Sequence, residues 1–216
     1  MLFACAVLFL LLLNTACSAQ KSGSKFEAHP EKETLSAENK GAVETQGESG
    51  KVQIDYLTPV AMIRNPEIFV YKEKRRLYVM QSNVLVRDYP IALGLNPAGD
   101  KEKLGDGKTP EGDFVICGKE PMGRFPKALA LNYPSRKHVE RAYFLGILSS
   151  AQFKEILKSY EKGQAPTVNT SVGERIAIHG GGAHLDWTNG CIALYDSDLE
   201  ELFRIATVGT KVSIRP

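Results

Sequence analysis

Cys191 stands in the run Thr188-Asn189-Gly190-Cys191-Ile192-Ala193-Leu194, twelve residues after the histidine of Ile176-Ala177-Ile178-His179-Gly180-Gly181-Gly182. A thiol attacks a carbonyl only as thiolate, so a nucleophilic cysteine needs a base beside it, and histidine is the usual partner. Glycines flank both residues, and glycine lets a backbone approach a substrate closely and aim its N–H groups at a developing oxyanion. The chemistry this pair supports is acyl transfer through a cysteine. Other readings stay open. His179 can be a structural residue at a strand end. His179, His184 and Cys191 are also ligand types that zinc accepts, although no fourth ligand is evident in the sequence. Cys117 and Cys191 can pair as a disulfide.

Elements must hold these residues. The runs Ile68 to Tyr71, Arg76 to Met80 and Val84 to Leu93 read as strands separated by the polar turns Lys72 to Arg75 and Gln81 to Asn83, a β-meander. Asn96 to Pro110, rich in Gly, Lys and Asp, is a loop leading into a strand from Asp113 to Lys119. Lys108 to Gly112 reads as a structural turn in which Pro110 fixes φ. Cys117 lies in the apolar stretch Phe114 to Cys117, which predicts burial. Ser149 and Gln152 form a capping box for a helix carrying Phe153, Ile156 and Leu157 on one face and ended by Gly163. Ser197 and Glu200 predict a second box, opening a helix from Asp198 to Ala206. A strand from Arg175 to Ile178 delivers His179 to a loop, and Lys211 to Ile214 is a last alternating strand. Tyr133-Pro134 and Arg136 belong to a loop able to line a groove, with Arg136 by default a solvated surface residue.

The 216 residues, 43% hydrophobic, suit one modest domain, and a formal charge of +2 gives no argument for nucleic acid. A monomer is expected. Leu2 to Leu13 is an unbroken apolar run, shorter than the roughly 18 to 20 residues that span a bilayer, so residues 1–17 read as an export signal. Leu13-Asn14-Thr15-Ala16-Cys17 resembles a bacterial lipoprotein box, which would lipidate Cys17 and anchor the chain to a membrane facing the periplasm. Cleavage after Ala19 would instead release a soluble periplasmic protein. Residues 18–50 are Lys, Glu, Ser, Gly and Ala with few large apolar side chains, a disordered linker. Residues 51–216 remain for a catalytic domain.

The run Gly105-Asp106-Gly107-Lys108-Thr109-Pro110-Glu111-Gly112-Asp113-Phe114, followed by His179-Gly180 and then Gly190-Cys191-Ile192, resembles the L,D-transpeptidase catalytic domain family of bacterial cell-wall enzymes. The resemblance covers roughly residues 65 to 216. It implies a mainly β fold, a sandwich of two packed mixed sheets with a few flanking helices. It also implies cysteine acyl transfer on peptidoglycan stem peptides, with no cofactor and no metal. Carried over, Cys191 matches the nucleophile, His179 the base, and Gly180 the position whose carbonyl orients the imidazole. Gly190 and Cys191 match the oxyanion donors, while Trp187, Thr188 and Asn189 face the substrate.

Asn189 stands where the family commonly has His, and Ala193 where it commonly has Arg or Asn. Both positions face substrate in the family, so a weaker hold on an anionic carboxylate is expected, and Ala193→Arg should strengthen crosslinking. Two further functions compete with transfer to an amine: a carboxypeptidase or amidase-type hydrolase on the same scaffold, and a non-catalytic cell-wall-binding module. An intact Cys/His pair argues against the last.

Overall fold

Ile68, Val70, Leu77 and Val79 alternate with more exposed neighbours, and all four are fully buried. In the computed structural model, which describes residues 52–161, 171–173 and 175–216, this alternation builds a meander. After β1 (Gln53–Ile54) come β2 (Glu67–Tyr71), β3 (Arg76–Gln81) and β4 (Val84–Pro90), with β2–β3 and β3–β4 antiparallel and β1 parallel to β4. All the described residues belong to the unit Ser49–Pro216. The apolar run at the start, Cys17, the linker to Gly50 and Gly163 lie outside the described residues.

The second half adds β5 (Gly112–Lys119), β6 (Ala128–Leu131), β7 (Ala177–His179), β8 (Ile192–Ala193) and β9 (Lys211–Arg215). Hydrogen bonding runs in the order β1-β4-β3-β2-β9-β5-β6-β7-β8. Strand β5 belongs to two sheets. Residues 112–115 pair with β9, and from Ile116 onward the strand pairs with β6, with a register shift between Ile116 and Gly118. Parallel pairs (β1–β4, β2–β9, β7–β8) occur beside antiparallel ones, so both sheets are mixed. Three helices flank them: α1 (Arg136–Phe144), α2 (Ser150–Glu161) and α3 (Asp196–Ile205). One core cluster takes Leu77 and Val79 from the meander, Ile116 and Leu131 from the shared strands, Ile178 and Ile192 beside the site, and Leu202 from α3. Each such side chain contributes about 1.5–3 kcal/mol on burial.

Several boundaries differ from the sequence reading. Strand β4 stops at Pro90, which has no N–H to continue a ladder, and the chain turns to pair Ala92 with Ala193 through two 2.8 Å backbone bonds. The Ser149 box forms, with Gln152 Oε1 accepting the Ser149 N–H at 2.9 Å. The Ser197 box does not. Helix α3 begins at Asp196, and the Ser197 hydroxyl donates to Asp198 instead. Lys72, read as a polar turn residue, is 2% exposed, and its ammonium donates to the carbonyl of Thr109 and to Glu111, both at 2.9 Å. Cys117, expected inside, is exposed on β5 and carries a free thiol, so no disulfide joins it to Cys191.

Candidate active site

The site is assembled where β7 ends. Parallel pairing sets Ile178 opposite Ile192 and His179 opposite Ala193, and the His179 carbonyl accepts the Leu194 N–H at 2.8 Å. Cys191 therefore enters β8 beside the strand that delivers the histidine. The next residue on β7's path fixes the ring: His179 Nδ1 is 2.6 Å from the Gly180 carbonyl. A carbonyl only accepts, so Nδ1 carries the proton and Nε2 is the basic nitrogen. A Cβ at Gly180 would lie 2.2 Å from Asp196 Oδ1, so any larger residue must displace that carboxylate. That same carboxylate accepts the Gly181 N–H at 2.8 Å, tying the glycine run to the start of α3.

The turn carrying the cysteine is held from outside and inside. Asp186 receives Arg75 through Nε at 3.1 Å and Nη2 at 2.7 Å, and also accepts the Leu93 N–H at 2.8 Å. The N–H groups of Trp187 and Thr188 both reach the Leu93 carbonyl at 3.1 Å. Thr188, 4% exposed, donates its hydroxyl to the Cys191 carbonyl at 2.7 Å and accepts the Gly190 N–H at 3.1 Å. Gly190 has φ +138°, and a Cβ there would come within 2.7 Å of the Lys108 carbonyl. This contact explains why Lys108 to Gly112 is structural: the segment packs against the turn that presents the thiol.

Cys191 is half-buried and its Sγ lies 3.8 Å from the Arg175 carbonyl, to which the thiol donates. It lines a cavity of about 570 Å³ together with His179, Trp187, Asn189, Arg124 and Phe125. A smaller cavity of about 170 Å³ meets Cys191 and Asn189 as well, and is walled by Lys101 and Gly105. His179 is 2% exposed. Burial holds its pKa below the ordinary imidazole value; the Gly180 hydrogen bond opposes this and Arg124 adds to it. The imidazole stacks on Phe125 at 3.8 Å between centroids and meets the edge of Trp187 at 5.6 Å. Trp187 is itself fixed by its indole N–H, which donates to the Gly182 carbonyl at 3.1 Å.

Cys191, His179, Trp187, Thr188 and Asn189 thus share one cavity, and Gly180 orients the ring. Three expectations are corrected. Gly190, expected to aim its N–H at an oxyanion, spends it on Thr188. Ala193 is fully buried, so it faces no substrate. Tyr133 is buried with its hydroxyl on the Val172 carbonyl and lines neither cavity, whereas Arg136 opens α1 as the solvated surface residue its default reading expected. His184 is exposed and lines neither, and among the described residues no group of three or more His, Cys, Asp or Glu is placed to hold a metal ion. The sequence reading missed Arg124, Phe125 and Arg175. They sit far from the Cys191 motif in a Pro- and Gly-punctuated loop and at a strand approach, and only the cation and aromatic of Arg124-Phe125 hinted at recognition.

The family model for the L,D-transpeptidase catalytic domain matches residues 65–214. A relative from Bacillus licheniformis that carries the L,D-transpeptidase name YkuD is 27% identical over 173 residues, covering 77% of this chain and 79% of the relative. Among solved structures, an L,D-transpeptidase from Xylanimonas cellulosilytica is 13% identical (TM-score 0.41), with 69% of this chain and 60% of that one covered. The helical cell shape determining protein Pgp2 from Campylobacter jejuni is 25% identical (TM-score 0.45), with 69% and 46% covered. This chain therefore spans less than two thirds of either solved chain. With its match across most of residues 52–216, the chain belongs to the L,D-transpeptidase catalytic domain family.

Proposed function

We propose that the protein is an L,D-transpeptidase acting on peptidoglycan stem peptides through a Cys191 acyl-enzyme. The observation that carries this reading is the cavity shared by Cys191 and a buried His179 whose Nδ1 is tied to Gly180 and whose pKa burial lowers. His179 Nε2 takes the thiol proton, and sulfur attacks the carbonyl on the L-centre side of a bond to a D-amino acid. The Cys191 N–H, next to the attacking sulfur, is the backbone donor assigned to the oxyanion. Collapse of the adduct breaks the C–N bond, and the imidazolium returns its proton to the departing amine. A second amine then attacks the thioester, gives its proton to His179, and leaves with the acyl group while the thiol is restored.

Incubating the protein with defined muropeptides and identifying products by mass tests this. Crosslinked peptides with an acyl adduct on Cys191 are expected, both absent from Cys191→Ala. Hydrolysed peptides alone would make water the acceptor and the protein a carboxypeptidase or amidase. An unchanged product pattern in Cys191→Ala would overturn the cysteine mechanism.

An envelope location fits a cell-wall family. The proposed anchor is a lipid on Cys17, with residues 18–50 as tether; a random coil of that length reaches roughly 30 Å. Mass spectrometry of the mature N-terminus checks it, and an unmodified terminus at Gln20 would overturn it.

A further inference from the structure

We infer that Arg124 is the specificity residue of the larger cavity, where its guanidinium holds a carboxylate of the bound peptide. The inference rests on the acyl-transfer reading for the nature of the ligand. The buried Ala193 removes the position from which a carboxylate contact was expected, so any cation must come from elsewhere. Arg124 and Arg175 are the arginines at this cavity. Arg175 is already paired with Glu120 at 2.8 Å. Lys101 faces the smaller cavity and is paired with Asp106 at 2.6 Å. Arg124 has no carboxylate partner among the described residues.

Its placement is specific. The guanidinium lies over the Phe125 ring at 5.2 Å and the Trp187 ring at 5.4 Å, and Phe125 in turn stacks on His179. A guanidinium over aromatic faces is held by the rings while its in-plane N–H donors stay available for a planar anion, which they can grip with two parallel bonds. Arg124 thus carries an uncompensated positive charge next to the catalytic imidazole, inside the volume a peptide must enter to reach Cys191. Stem peptides are rich in free carboxylates, which supply the complementary charge.

The test separates recognition from turnover. In a Cys191→Ala background, calorimetry compares a stem tetrapeptide bearing free carboxylates with the same peptide amidated. The intact Arg124 protein should prefer the acid. Arg124→Gln should weaken binding of the acid about tenfold or more and leave the amide nearly unchanged, removing the preference, and Arg124→Lys should recover only part of it. Equal weakening of both peptides would reduce Arg124 to a packing residue and overturn the inference, as would unchanged binding of the acid. In parallel, the enzyme with Cys191 present is incubated with the same tetrapeptide. Failure to form a thioester would defeat the acyl-transfer reading, whereas the binding preference still decides Arg124.

Discussion

Thr188 donates its hydroxyl to the carbonyl of Cys191 at 2.7 Å while accepting the N–H of Gly190 at 3.1 Å. One buried side chain thus closes the turn on which the thiol sits. Thr188→Val keeps the shape but removes both bonds and strands the buried Gly190 N–H, at a cost of about 1–3 kcal/mol. The expected result is a lowered melting temperature and kcat/KM reduced by roughly ten- to a hundredfold, with Thr188→Ser close to the parent. Parent-like turnover in the Val variant would show that the turn holds without Thr188.

The neutral form of His179 is the base, and burial keeps its pKa below the ordinary value of about 6.5. Activity should therefore rise with pH along a limb centred below that value and then level off. Arg124→Gln removes one contribution to the lowering, so its limb should move to higher pH. The same shift means that the unfolded chain binds more protons than the folded one between the two pKa values. Stability should fall as pH drops through the ordinary imidazole range and level off below the folded value. A pH series of kcat/KM checks the placement, and an acid limb lying above 6.5 would contradict it.

Ala193→Arg should damage the protein rather than improve crosslinking. The side chain is fully buried, and the backbone exchanges two 2.8 Å hydrogen bonds with Ala92, so a long cation there meets overpacking and an unpaired buried charge. Thermal unfolding should show a loss of several degrees or an insoluble product. A stable variant with raised crosslinking would restore the view that this position faces substrate.

Both thiols should label with an alkylating reagent, because Cys117 is exposed rather than buried. Desolvation by its neighbours still pushes the Cys117 thiol above its ordinary value, so its labelling should climb with pH. Cys117→Ser should leave acyl transfer intact, and peptide mapping after labelling at neutral pH should find Cys191 modified first. Faster labelling of Cys117 would argue against an activated Cys191.

The catalytic pair was legible in sequence because the glycines that frame it answer local demands: Gly180 gives way to Asp196, and Gly190 to the Lys108 carbonyl. The meander was legible because its strands alternate apolar and polar residues. Strand β6, four consecutive buried residues of Ala and Leu, has no alternation to read. In α1 the charged residues Arg136, Lys137, Glu140 and Arg141 leave only a thin apolar stripe of Val139 and Ala142, with His138 buried beside them. The cavity wall at Arg124 and Phe125 was hidden for another reason: its partners are more than fifty residues away in the chain, and nothing in the spacing announces the contact. Cys117 misled because an apolar run on a strand can still turn every second side chain outward.

The position of β9 has a kinetic consequence. Glu67 of β2 and Lys211 of β9 are paired across 144 residues of chain, and β9 also supplies the partner of β5. Apart from the isolated bridges at Ala92 and Gly94, β9 is the ladder that joins the meander to the strands bearing His179 and Cys191. Until residues 211–215 arrive, β2 and β5 present open edges, and closing so long a loop must precede any reward from pairing. Folding should therefore be slow and close to all-or-none, with the thiol reaching its working geometry only after this distant strand has docked.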